Sequence, residues 1–137
     1  MIIVSACLAG INCNYKGENK ENEKIVKLVS EGKAIPICPE QLGGLTTPRM
    51  PAEIIENRVI TKDNIDVTNS FEMGAYEVLN ICKKYNCTKA ILKAKSPSCG
   101  CGIIYDGSFN GELINGDGIT TKLLKKHGIE VCTEGDD

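Results

Sequence analysis

The sequence predicts an α/β fold in which a mainly parallel sheet has helices on both faces. Short apolar runs at residues 2–4, 34–37 and 90–92 have the length and the β-branched content of buried strands. Segments with helical spacing separate these runs, and strands that alternate with helices favour right-handed βαβ units. Because 137 residues with 42% apolar content suit one core, we predict a single domain over residues 1–137.

The helices are predicted from apolar periodicity. Apolar residues recur at i, i+3 and i+4 within residues 20–31, and Gly32 supplies a stop signal. The longest predicted helix covers residues 69–85, where apolar side chains again recur at helical spacing. A short helix over residues 118–127 precedes a last strand at residues 129–131.

The middle of the chain has the composition of loops and turns. Residues 41–51 contain two adjacent glycines and two prolines, which excludes a regular helix and indicates a functional loop. Residues 53–67 are predicted to form a small hairpin with residues 62–64 as its turn. The sequence contains no internal repeat and no low-complexity segment.

Cysteines follow three of the predicted strands. Cys7, Cys38 and Cys99 each lie where an apolar run stops and a polar loop begins, with Gly or Pro close by. Ligands of parallel α/β sheets bind beyond the carboxyl ends of the strands, at a topological switch point. Soft thiolates brought together there bind an iron–sulfur cluster or zinc. We expect at least two of the three to share a metal site, with Cys13 and Cys101 as rival ligands.

The remaining cysteines and the histidine favour an iron–sulfur cluster over a structural zinc site. Structural zinc sites usually contain paired C-x-x-C knuckles, and no such pair occurs in this sequence. The sole histidine, His127, is expected at a helix C-terminus facing solvent. Cys82 and Cys132 are expected to be core residues, and Cys87 to be structural.

Composition also narrows the partner and the compartment. The apolar start of the chain is too short and too uncharged for a signal peptide, so we expect a cytoplasmic protein with reduced thiols. No apolar run approaches the roughly 18 residues that a membrane span needs. A net charge of −2 and only two arginines argue against a large nucleic-acid interface and favour a small-molecule substrate.

Motifs in the loops extend over nearly the whole chain: Ser5-Ala6-Cys7-Leu8-Ala9-Gly10, Cys38-Pro39-Glu40, Leu42-Gly43-Gly44-Leu45, Pro48-Arg49-Met50-Pro51-Ala52-Glu53, Ser96-Pro97-Ser98-Cys99-Gly100 and Tyr105-Asp106-Gly107-Ser108-Phe109. In this order they closely resemble the thiouracil desulfidase family. The resemblance implies a Rossmann-like α/β domain with a [4Fe-4S] cluster held by three cysteines. It also implies removal of sulfur from thiolated pyrimidine bases or nucleotides without net redox chemistry.

The resemblance assigns roles to individual residues. By motif, the cluster ligands fall on Cys7, Cys38 and Cys99, a catalytic glutamate on Glu40 and a catalytic serine on Ser96. Since Glu40 is two residues from Cys38, covalent connection alone holds it near the cluster, where a carboxylate can deprotonate an attacking water.

Three further residues are candidates for binding the substrate, namely Arg49, Ser98 and Gly100. Ser98 also competes with Ser96 for the catalytic role, and a salt-bridged loop is an equal alternative for Arg49. The chain departs from the family pattern at residues 14–17, where Asn-Tyr-Lys-Gly replaces the usual Arg-Tyr-Asp-Gly. The alternative function is that of an iron–sulfur electron carrier or sensor without a substrate.

Overall fold

Residues 1–136 form a parallel sheet, four α-helices, one 3-10 helix and two small hairpins. In this computed structural model, which describes residues 1–136, the elements in chain order are β1 (Ile2–Ser5), a 3-10 helix (Ala6–Ala9), α1 (Glu23–Ser30), β2 (Ala34–Ile37), α2 (Pro39–Leu42), β3 (Ala52–Ile55), β4 (Arg58–Thr61), α3 (Thr68–Lys84), β5 (Lys89–Leu92), β6 (Ile103–Tyr105), β7 (Leu113–Asn115), α4 (Ile119–Lys126) and β8 (Glu130–Thr133). Asp137, the last residue of the predicted domain, lies outside the described residues.

The central sheet has four strands in the order β2-β1-β5-β8. All three strand pairs are parallel, which confirms the predicted sheet. β1 pairs with β2 on one side and with β5 on the other. The connection from β1 to β2 therefore runs to one side of β1, and the chain then returns to form β5 on the other side. The carboxyl ends of β1 and β5 therefore form the topological switch point at which such folds bind ligands.

Helices cover both faces of the sheet, as predicted. Alternate residues of β1 point to opposite faces: Ile3 packs in the core cluster that contains Val78 of α3 and Leu124 of α4. Val4 packs in a second cluster with Ile25 of α1. Ile3, Val4, Val78 and Leu124 have no exposed surface, so the sheet is buried on both sides.

Most predicted elements occur within a few residues of their expected positions. The first helix begins at Glu23 and not at residue 20, because the Asn22 side chain accepts hydrogen bonds from the backbone N–H of Lys24 and Ile25 and caps the helix there. Cys82 is buried on α3, as expected, and His127 is the exposed C-cap of α4. Within residues 1–136, no helix combines the length and the apolar character needed to cross a membrane.

The predicted turn of the central hairpin is wrong. β3 and β4 pair antiparallel and are joined by Glu56 and Asn57, whose φ angles of 49° and 69° are those of a two-residue hairpin turn. Residues 62–64 instead form a separate turn after β4, in which the Asn64 N–H donates to the Thr61 carbonyl. Glutamate rarely adopts a positive φ, so Glu56 is not a recognisable turn residue.

Two elements were missed in the predicted loops. α2 is a single turn that continues from Cys38 into residues 41 and 42, with Pro39 at its first position. The β6–β7 hairpin pairs Ile103–Tyr105 with Leu113–Asn115, and all three residues of β7 are exposed. The apolar-polar alternation that marks a half-buried strand is therefore absent from β7.

α2 and α3 approach each other through two glycines. A Cβ atom on Gly74 of α3 would lie 1.9 Å from the Pro39 carbonyl oxygen, and one on Gly43 would lie 1.9 Å from the Ser70 carbonyl oxygen. Both distances are shorter than any real contact, so only glycine fits at either position. The crossing fixes the position of Pro39 and, through it, that of the adjacent Glu40.

We expect Gly74→Ala to lower the free energy of unfolding by about 1–3 kcal/mol, because the two backbones must move apart. The substitution is also expected to displace the Glu40 side chain, since Glu40 moves with α2. Urea denaturation followed by circular dichroism measures the first effect. Glu77→Ala, on the exposed side of the same helix, is the matched control and should leave stability nearly unchanged. Equal stability of the two variants would contradict the close crossing.

Candidate metal centre and active site

A cavity of about 490 Å³ opens at the carboxyl ends of β1, β2 and β5. Its wall includes Ser5 and Ile37, the last residues of β1 and β2, and Lys93, which directly follows β5. The cavity therefore lies at the topological switch point. Seven of the eight residues predicted for the site line it: Cys7, Cys38, Glu40, Arg49, Ser96, Ser98 and Cys99.

Gly100, the eighth predicted residue, does not line this cavity. Its N–H donates to the Ser96 carbonyl oxygen at 2.8 Å. A Cβ atom there would lie 2.7 Å from the same oxygen and 2.9 Å from Ile104 Cγ2. Gly100 thus allows the loop to fold tightly, and the structure does not bring it to the cavity wall.

The three predicted ligands come from three separate strand ends. Cys7 lies in the 3-10 helix after β1, Cys38 is the N-cap of α2 after β2, and Cys99 lies in the loop after β5. Burial raises the pKa of Cys99 to about 12. The hydroxyls of Ser5 and Ser98 donate hydrogen bonds to its sulfur, each at 3.5 Å, and oppose this rise in pKa. Burial likewise raises the pKa of Cys7 to about 11, although the Lys93 ammonium opposes this shift.

Cys38 is the most acidic of these thiols. A hydrogen bond from the Cys13 thiol lowers the pKa of Cys38 to about 6, although burial opposes the shift. Cys13 is 2% exposed and lines the cavity beside Cys38. Cys101, the other rival ligand, does not line the cavity and directs its sulfur to the Val131 carbonyl at 3.6 Å.

The donor set, three thiols around one cavity, fits an iron–sulfur cluster. Within residues 1–136, no three His, Cys, Asp or Glu side chains converge closely enough to hold one metal ion. Cys7, Cys38 and Cys99 nevertheless surround one cavity. Thiolates arranged around a cavity suit an iron–sulfur cluster, in which each thiolate binds a different iron, and hydroxyl donors to a ligand sulfur are a usual second layer of such sites.

Glu40 lies at the centre of a polar network on the cavity wall. Its Oε1 accepts a hydrogen bond from Arg49 Nε at 2.9 Å, and its Oε2 accepts one from Ser98 Oγ at 3.1 Å. Ser98 Oγ is in turn 3.0 Å from Ser96 Oγ. The structure therefore brings together both residues predicted to be catalytic, Glu40 and Ser96, through Ser98.

Arg49 binds the protein on every nitrogen of its guanidinium group. Besides Glu40, Nη1 donates to the Thr46 carbonyl and to Thr47 Oγ1, and Nη2 donates to the Cys13 carbonyl at 2.9 Å. The Arg49 side chain is only 8% exposed. Arg49 thus joins the Cys13 loop to Glu40, which corresponds to the salt-bridged alternative for this residue; contact with substrate stays a prediction.

We expect Arg49→Lys to lower both stability and activity although the charge is retained. A lysine cannot bind Glu40, Thr47 and Cys13 at once, and carbonyl groups left without a donor cost about 1–3 kcal/mol. Chemical denaturation and steady-state kinetics measure the two effects. The matched control is Arg58→Lys, since the Arg58–Asp66 ion pair is exposed and far less dependent on a planar donor. Identical behaviour of the two lysine variants would contradict this role.

Ser5 and Lys93 belong to the site but were not predicted as site residues. The Ser5 hydroxyl donates to Cys99 Sγ and accepts from the Lys93 N–H at 2.8 Å, so it links β1 to the segment after β5. Lys93 Nζ pairs with Glu134 at 3.1 Å on the cavity rim. Ser5 lies in the first of the loop motifs, but only the pairing of β1 with β5 shows that it meets Lys93.

Glu53 holds another wall of the cavity. Its Oε1 accepts hydrogen bonds from the N–H groups of Gly107 and Phe109, at 3.0 and 3.1 Å. The loop after β6 is thereby fixed to β3, and Tyr105 and Gly111 of this region line the cavity.

Asn14, at the departure from the family pattern, accepts hydrogen bonds from the N–H groups of Lys16 and Glu18 and stabilises its own loop.

The chain is similar to known proteins along nearly its whole length. The chain is 46% identical to the uncharacterized protein YbbK of Bacillus subtilis (strain 168), an alignment that covers 99% of this chain and 97% of the relative. It is 45% identical to the solved structure of the [4Fe-4S]-dependent thiouracil desulfidase TudS, with a TM-score of 0.94 over 98% of this chain and 91% of that one. Residues 2–136 match the 2-thiouracil desulfurase family, and the chain belongs to this family.

Proposed function

We propose that this protein is a [4Fe-4S]-dependent desulfidase that converts thiouracil and water into uracil and hydrosulfide. The observation that carries the proposal is one cavity lined by three cysteine thiols from three strand ends, together with the carboxylate of Glu40 and the hydroxyl of Ser96. Membership in the 2-thiouracil desulfurase family and the 45% identity to a thiouracil desulfidase support the same reaction.

Cys7, Cys38 and Cys99 hold the cluster in this proposal. When bound, a cluster with one iron free of protein ligands supplies a Lewis acid for the thiocarbonyl sulfur. The ligands are assigned by the family motif, so Cys13, which lines the cavity beside Cys38, is not assigned as a ligand.

Glu40 and Ser96 act on the water that replaces sulfur. Glu40 accepts the proton that the water loses as its oxygen bonds to the ring carbon, and Arg49 and Ser98 hold the carboxylate in place for this step. The hydroxyl of Ser96, on the same wall, orients the water. The carbon–sulfur bond then breaks as the remaining proton of the water passes from oxygen to sulfur and the ring carbonyl forms. The sulfur leaves as hydrosulfide, so no electron is gained or lost overall.

Thiolated pyrimidine nucleosides and nucleotides are further proposed substrates. The proposed compartment is the cytoplasm. The cysteines form no disulfide within residues 1–136, and reduced thiols are usual in the cytoplasm. A cavity of about 490 Å³ is within the range of sites that bind small molecules, which supports a free base or nucleotide as substrate.

The test is to purify the protein without oxygen, reconstitute it with iron and sulfide, and measure iron, acid-labile sulfide and zinc per chain. About four irons and four sulfides are expected. Thiouracil is then added, and uracil and hydrosulfide are measured separately against protein from which the cluster has been removed by chelation. Zinc in place of iron, or no uracil above the chelated control, would contradict the proposed function.

A further inference from the structure

An asparagine or aspartate precedes glycine at four places in the sequence: Asp106-Gly107, Asn110-Gly111, Asn115-Gly116 and Asp117-Gly118. In such a pair, the backbone nitrogen of the glycine attacks the side-chain carbonyl carbon of the preceding residue and closes a succinimide ring. Glycine favours this reaction because it has no side chain to block the approach. Since the glycine nitrogen must be free to move, its hydrogen bonds decide whether a pair reacts in the folded chain.

Three of the four glycine nitrogens are held by hydrogen bonds. Each N–H donates to an oxygen at a short distance: Gly107 to Glu53 Oε1 at 3.0 Å, Gly116 to the Gly102 carbonyl at 3.1 Å and Gly118 to the Gly100 carbonyl at 2.8 Å. To attack, each nitrogen must first give up this bond and leave its place in the fold. Local unfolding must therefore precede the reaction at these three pairs.

Asn110-Gly111 lacks this protection. Within residues 1–136, the Gly111 N–H donates to no protein atom, and the Asn110 side chain has no hydrogen-bond partner. Asn110 is exposed, and Gly111 has a φ of 76°. The part of this loop that is fixed to β3 ends at Phe109, whose N–H donates to Glu53. The pair therefore reaches the reactive geometry without breaking a hydrogen bond of the fold.

We infer that Asn110 is a site of spontaneous deamidation, at which the chain forms aspartate or isoaspartate. The Gly111 nitrogen bonds to Asn110 Cγ, and the side-chain amide leaves as ammonia with the proton of the Gly111 nitrogen. Water then opens the ring at either carbonyl group, so that the amide and the water become a carboxylic acid and ammonia without any oxidation or reduction. Asn115 also precedes glycine but stays intact, because the Gly116 nitrogen is held.

The modification changes the wall of the cavity. Gly111 lines the cavity, so deamidation places a negative charge next to this wall. Isoaspartate also lengthens the main chain by its β-carbon, which shifts Gly111 relative to the rest of the loop. The inference itself concerns the loop alone and does not depend on the proposed function.

Peptide mapping of the aged protein tests the inference. The full chain is incubated in mildly alkaline buffer, folded or in concentrated guanidinium chloride, and is then cleaved after glutamate, which at Glu112 separates residue 110 from residue 115. In the folded chain, mass spectrometry should show conversion of amide to acid about tenfold faster at Asn110 than at Asn115, the factor expected for one hydrogen bond. In guanidinium chloride the two rates should agree within about twofold, because no fold protects either pair. Equal rates in the folded chain, or an Asn110 that reacts only in guanidinium chloride, would overturn the inference.

An isoaspartate assay gives a second readout. A protein-isoaspartate methyltransferase transfers a labelled methyl group to isoaspartate and not to asparagine or ordinary aspartate. The aged wild type should accept label, and Asn110→Gln should lose most of it, because glutamine would have to close a larger ring. Asn115→Gln is the matched control and should accept as much label as the wild type. Equal labelling of Asn110→Gln and the wild type would place the reaction at another pair and overturn the inference.

Discussion

Glu40→Gln is expected to lower kcat for thiouracil by about 10²- to 10⁴-fold while iron and sulfide per chain stay at the wild-type level. Glutamine has nearly the same shape, and its amide oxygen can still accept from Arg49 Nε. Its amide nitrogen, however, cannot accept a hydrogen bond from the Ser98 hydroxyl or take up a proton. Steady-state kinetics and metal analysis on the same preparation measure the two quantities.

The matched control for this experiment is Glu53→Gln. Glu53 also lines the cavity, but its bonded oxygen accepts only backbone N–H groups, which an amide oxygen can replace. We expect its kcat to change far less than that of the Glu40 variant. If Glu40→Gln retained full activity, Glu40 would not be the base. If the loaded protein had no desulfidase activity at all, the electron carrier considered from the sequence would become the better hypothesis.

Replacement of Cys7, Cys38 or Cys99 with Ser is expected to remove the cluster, so that iron and sulfide per chain fall from about four each to a small fraction of that. Each thiolate comes from a different strand end, so the loss of one is not made good by the other two. Only Cys38 has a neighbouring thiol that could replace it, that of Cys13. The visible absorption of the reconstituted protein and chemical iron and sulfide assays measure the loss.

Cys13→Ser and Cys101→Ser are the matched controls. Both variants should keep the cluster. Cys101→Ser should also keep its activity, because Cys101 does not line the cavity. Cys13→Ser retains a hydroxyl that can still donate to the Cys38 sulfur. Loss of the cluster in Cys13→Ser, together with its retention in Cys38→Ser, would transfer the second ligand from Cys38 to Cys13.

The sheet and the positions of the three cysteines at its edge could be predicted because local patterns determine them. The β-branched runs that contain Ile3, Ile35 and Ile91 indicate buried strands, and the position of a cysteine directly after such a run places it at one edge of a parallel sheet. The order of the strands was not readable from the sequence. It depends on which side of β1 each crossover returns to, and no single residue encodes that choice.

The polar network of the site could not be predicted, because its members are far apart in the chain. Ser98 and Glu40 are 58 residues apart, and their contact exists only because β5 and β2 flank β1. Arg49 was ambiguous for the same reason: the motif indicates that an arginine is needed there, but only the fold shows that it faces Glu40. The turn at Glu56 and Asn57 was missed because Glu56 is a poor turn former.

The central position of β1 also affects when the metal centre can be assembled. Cys7 leaves the ribosome first, but β5, which completes the wall beside it, follows only after Cys38 and the whole of α3 have been made. Cys99 emerges roughly 90 residues after Cys7, a delay of roughly 5–20 s at ordinary rates of synthesis of about 5–20 residues per second. During that interval the chain has only two of the three thiols predicted to hold the cluster, so we expect iron and sulfide to be inserted after β5 has paired with β1.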